Sequence, residues 1–118
     1  MITPLVPKVN AKVIGSVAVL LCSIGQAVAT EVITAARQQE LRHLLSHDCG
    51  SCHGLTLRGG LGPALTPETL AGKSRQAMVT TILQGRTGTP MPPWSPLLSR
   101  EEAEWLVEVM YRGLKRVE

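Results

Sequence analysis

The chain contains no phenylalanine, one tyrosine and two tryptophans among 118 residues. A domain of this size buries only a modest share of its surface, so without large aromatic side chains it needs a disulfide, a metal or a cofactor to complete its interior. Repeats and low-complexity tracts are also missing, and no stretch shows the strict alternation of a strand, which excludes solenoids and predicts an all-α chain. No basic tract interleaved with aromatics is present, and nucleic-acid binding is excluded on that ground.

The basicity that does exist sits mostly at the front. Met1 to Lys12 holds Lys8 and Lys12 and no acid, Val13 to Gly25 is almost wholly apolar, and Ala27-Val28-Ala29 supplies a small-x-small cleavage pattern. This order of parts predicts a secretory signal peptide over residues 1–29 and an exported mature domain over 30–118. An uncleaved anchor is the alternative, but Val13 to Ala29 is 17 residues with Gln26 inside, short for a bilayer span. Cys22 follows a bulky Leu21, which argues against lipidation there. Cleavage removes two lysines and no acid, taking the formal charge from +3 to +1, so no strong electrostatic steering of partners is expected.

Within the exported part, a helix is expected from about Glu31 to Ser46, with Ile33, Arg37, Leu41, Leu44 and Leu45 along one face. Gly54 to Pro67 is too rich in glycine and proline for a helix, and its backbone can lie close to something flat. Thr66-Pro67-Glu68 looks like a cap with proline at the first helical position, opening a short turn to Gly72. Ser74 opens a second helix with Ala77, Met78, Thr81 and Ile82 on one side and Gly85 as its stop. Arg86 to Pro96 has four prolines in the seven residues from Pro90 and is again loop. Ser99-Arg100-Glu101-Glu102 is a capping box, and Ala103, Leu106, Val107, Met110 and Leu114 form the apolar stripe of the helix it opens, with Gly113 near its end.

The chemistry concentrates in Cys49-Gly50-Ser51-Cys52-His53. A redox dithiol would need this motif after a strand in a βαβ unit, and a helical pattern precedes it instead. A zinc site would draw on His43 and His47 as well, but zinc fingers usually place a dozen or so residues between ligand pairs, and these five donors are crowded together. The histidines of that pair also suit a helix end, where a cationic ring is favoured. Covalent haem uses every residue: two intervening positions bring both thiols onto one turn, where each can add to a porphyrin vinyl group, and His53 directly after can offer an imidazole nitrogen to the iron. A porphyrin would also supply the missing bulk of the core.

One axial ligand leaves the function open, because an open sixth position means gas binding or peroxide chemistry and a thioether there means a carrier. Met78 and Met110 fall on apolar helix faces, where methionine is usually filler. Met91 stands 38 residues after His53, between Pro90 and Pro92-Pro93, in a loop stiff enough to hold one thioether over the iron.

CGSCH near the front, Gly62-Pro63 after it, TPMPPW later and a capped terminal helix together resemble a class I c-type cytochrome across residues 34 to 114. More narrowly, GLTLRGGLGPALTPETLAG with GTPMPPW is similar to the cytochrome c55X group, small periplasmic monohaem cytochromes associated with cytochrome cd1 nitrite reductase in denitrifying bacteria. The resemblance implies a small class I cytochrome c fold, its terminal helices packed together around one haem c bound covalently through Cys49 and Cys52. It implies iron ligation by His53 and Met91, and a Pro63 carbonyl accepting a hydrogen bond from the far ring nitrogen of His53. It implies a monomeric one-electron carrier, not an enzyme, taking electrons from a quinol-oxidising donor and passing them to cytochrome cd1 nitrite reductase, or acting as an accessory electron donor in haem d1 biogenesis. Trp94, Arg58 and Arg86 are candidates to meet the haem or its propionates, and Trp105 is expected to wedge between the terminal helices.

Overall fold

The computed structural model describes residues 32–114; the expected signal peptide, and Cys22 with it, lies outside them. Those residues form helices α1 (Ala35–Leu44), α2 (Gly50–His53), α3 (Pro67–Leu70), α4 (Arg75–Gln84) and α5 (Arg100–Arg112), with a π turn at Leu45–Cys49 joining α1 to α2. Among the described residues there is no strand, as the sequence predicts.

Helix α1 starts later than its apolar periodicity suggests. Thr34 is extended, and its hydroxyl accepts the Arg37 backbone N–H at 3.2 Å, satisfying one of the amides a helix start leaves free. Leu41 and Leu45 are fully buried. Arg37, expected on the same face, instead directs its guanidinium to Glu102 at 2.6 Å and Glu40 at 2.8 Å. The helix also does not stop near Ser46: it widens into the π turn and continues as α2 to His53. The motif therefore stands on a helix and not in a loop after one.

Pro67 opens α3 at its first position, but the Thr66 hydroxyl meets the Thr69 hydroxyl at 3.1 Å and caps no backbone amide. In α4 the Ser74 hydroxyl accepts the Ala77 N–H at 3.3 Å. The buried face there is Val79 and Ile82, with Met78 and Leu83 packed against the core, while Ala77 is exposed. Thr81, expected inside, returns its hydroxyl to the Ala77 carbonyl at 2.8 Å. Apolar residues nearly encircle this helix, so its own sequence leaves the orientation loosely set.

Helix α5 follows its pattern closely. The Ser99 hydroxyl accepts the Glu102 N–H at 3.2 Å and a Glu102 carboxylate oxygen accepts the Ser99 N–H at 2.9 Å. Ala103, Leu106, Val107, Val109 and Met110 are buried, and Gly113 ends the helix at φ 83°. The other Glu102 oxygen takes the Arg37 bond, so one carboxylate caps α5 and ties it to α1. Arg42 of α1 lies 5.1 Å over the half-buried Trp105 ring, which sits between the terminal helices as expected. On the other side, the Tyr111 hydroxyl donates to the Lys73 carbonyl at 2.8 Å, fastening the approach to α4. The buried core is wholly aliphatic apart from Met110, and each fully buried leucine contributes about 1.5–3 kcal/mol.

Candidate haem-attachment site

Cys49 is half-buried and Cys52 exposed, both as free thiols one turn apart. Burial, with Asp48 beside it, pushes the Cys49 thiol up to about 11; a thioether at that position has no charge to desolvate. The loop after α2 folds back over the helix end and occupies its carbonyls. The Gly59 N–H donates to the His53 carbonyl and the Gly62 N–H to the Cys52 carbonyl, each at 2.8 Å. Leu57 anchors this loop from a buried position at φ 57°, an unusual conformation for a branched residue, and its carbonyl accepts the Leu65 N–H at 2.8 Å.

That path brings the Pro63 carbonyl to 2.7 Å from His53 Nδ1. A carbonyl only accepts, so Nδ1 carries the proton and Nε2 keeps its lone pair for a metal. Gly62 packs its backbone on the same ring: a Cβ there would lie 2.7 Å from His53 Cε1. The flat partner of this glycine-rich backbone thus includes the imidazole itself.

Met91 lies in a loop hung from the end of α4. Its carbonyl accepts the Arg86 N–H at 3.2 Å, while the Trp94 and Ser95 N–H groups donate to the Ile82 and Leu83 carbonyls at 3.1 and 3.2 Å. Gly85 sits at φ 68°, and a Cβ on it would come within 2.7 Å of backbone atoms of Met91, Pro92 and Pro93. Sequence reasoning assigned Gly85 only a helix stop; its signal as a site residue is the PMPP segment that begins five residues later. Met91 and Trp94 are half-buried against the core, whereas Arg58 and Arg86 are exposed on the two loops.

The donors suit a haem: two free thiols on one turn, an imidazole with one nitrogen held and the other free, and a thioether on a stiff loop. They do not suit the four-ligand zinc site that the sequence raises, since no three His, Cys, Asp or Glu side chains converge among the described residues.

A family model described as cytochrome c oxidase, cbb3-type, subunit III matches residues 36–110. Cytochrome c55X of Pseudomonas aeruginosa is 60% identical over 86 residues, spanning 73% of this chain and 72% of that protein. The chain belongs to the cytochrome c55X family of c-type cytochromes. Consistent with this, the solved structure of the c-type cytochrome NirC is similar at 62% identity and a TM-score of 0.66, over 67% of this chain and 93% of that one. The dihydro-heme d1 dehydrogenase of Pseudomonas aeruginosa is 34% identical over 73 residues, 62% of this chain but only 15% of the dehydrogenase. As a member of the family, the protein carries a covalently bound c-type haem on Cys49 and Cys52 and is an electron carrier, not an enzyme.

Proposed function

We propose that this cytochrome holds its iron between His53 and Met91 and carries single electrons to cytochrome cd1 nitrite reductase in the periplasm, after export directed by residues 1–29. The observation that carries the reading is the 2.7 Å contact from Pro63 to His53 Nδ1, which leaves Nε2 as the free donor. The haem supplies one reversible electron. His53 is fixed in tautomer and ring orientation by Pro63 and Gly62, and Met91 is restrained by the prolines and by Gly85, so both ligands stay in place in either oxidation state. With neither ligand moving, little has to reorganise at each transfer, and no substrate needs to touch the metal. No helix of the described residues is long and apolar enough to cross a membrane.

Stopped-flow mixing of the reduced holoprotein with oxidised cytochrome cd1 nitrite reductase tests the partner: electron transfer should keep pace with turnover, and its absence on that timescale would count against direct donation. The likeness to a dihydro-heme d1 dehydrogenase favours a second reading, service in haem d1 maturation. A dehydrogenase releases electrons, so in that role the oxidised cytochrome would be the acceptor, the reverse of the accessory-donor role expected from the sequence. Rapid reduction by that enzyme and its substrate, with slow transfer to the reductase, would select the second reading.

A further inference from the structure

The chain has three histidines, and the electron-carrier reading uses only His53. The other two stand at His43-Leu44-Leu45-Ser46-His47, both exposed. Their rings face each other at 4.2 Å between centroids with 26° between planes. The pair straddles the start of the π turn at Leu45–Cys49, and residues four apart lie on one face of a helix.

Among the described residues no hydrogen bond engages either ring; the Ser46 hydroxyl donates to the His43 backbone carbonyl and leaves the imidazole alone. Arg42, the nearest cation in sequence, is drawn away over Trp105. Asp48 adds an exposed carboxylate to the same segment. Two imidazoles four residues apart on one helix face are the spacing by which helical histidine pairs grip a metal. With metal–nitrogen bonds of about 2.0–2.1 Å, one ion spans donor nitrogens roughly 3–4 Å apart, so the two exposed rings must turn out of the stack until their in-plane lone pairs converge on it.

We propose that His43 and His47 form a second metal site: a two-imidazole surface chelate for a late first-row divalent cation, binding Cu²⁺ most tightly, with Ni²⁺ and Zn²⁺ behind it. Water fills the remaining positions, so the ion is exchangeable. The site shares no donor with the haem, because Cys49, Cys52 and His53 are committed elsewhere.

The test is titration of Cu²⁺ into the tag-free, oxidised holoprotein by calorimetry, with electron paramagnetic resonance of the bound ion. One Cu²⁺ per chain is expected, with hyperfine splitting from two nitrogens. His43→Ala and His47→Ala should each weaken binding by roughly tenfold or more, since a chelate becomes a lone imidazole. Both side chains are exposed, so the haem spectrum should not change, and His43→Gln and His47→Gln repeat the loss with helix-compatible side chains. Binding that survives in the double variant at unchanged affinity, or a signal from one nitrogen only, would overturn the proposal.

Discussion

The terminal helices and the two loops that position His53 and carry Met91 are held by different forces. Between α1 and α5 the bonds are made by side chains: Leu41, Leu45, Leu106 and Val107 fully out of water, and Glu102 bridging to Arg37. In the loops the backbone bonds to itself, and glycines let it approach closely, Gly62 on the imidazole and Gly85 on the Met91 segment. The frame can lose a side chain and become less stable while keeping its shape. The loops also bury Leu57, Leu65 and Leu98, but their path depends on close backbone approach, so a single added carbon in the wrong place displaces His53 or Met91. Stability and ligand geometry are therefore separable by mutation.

The largest expected effect lies in the frame. Leu41→Ala should cost about 2–5 kcal/mol, read by denaturant unfolding of the holoprotein, while the folded protein keeps its haem absorption. Gly85→Ala should cost roughly 1–3 kcal/mol from its positive φ, and unlike Leu41→Ala it should also perturb iron ligation, because its neighbours are backbone atoms that cannot swing aside. If both variants kept an unchanged spectrum, the division between frame and loops would fail. Ser99→Ala should remove about 1 kcal/mol by unmaking half of the capping box, with ligation untouched.

The smallest effect is pH-dependent. The Arg37 hydrogen bond holds the Glu102 carboxyl below its usual range. A depressed folded value means the pair stabilises fully above the unfolded value of about 4.3 and loses that contribution as pH falls through the folded one. Glu102→Gln retains a side chain suited to the capping box, so it isolates the pair. It should unfold more readily than the parent at neutral pH, and the gap should close in acid.

How much of this was legible follows the same division. Ser99 to Glu102, Ser74 and Gly85 announce helix ends through chemistry that acts within a few residues, and all three stand where the sequence puts them. The Pro63 contact to His53 came instead from the resemblance to class I c-type cytochromes, and it stands as that resemblance implies. Features decided by distant residues were not readable. Val79 displaces Ala77 on the buried face of α4 because packing, not local periodicity, settles a helix with apolar residues nearly all round. Arg37 leaves the apolar stripe because Glu102, 65 positions away, offers it a partner. Nothing in Leu-Ser-His-Asp-Cys marks a π turn.

The central claim is that His53 and Met91 both hold the iron, and the absorption spectrum of the oxidised holoprotein tests it most directly. The iron(III)–methionine band in the red region should be present in the parent and gone in Met91→Ala, whose reduced form should then bind carbon monoxide rapidly. A parent protein without the band that binds carbon monoxide at once would contradict the account, because its iron would be open and the protein built for binding gases or peroxides.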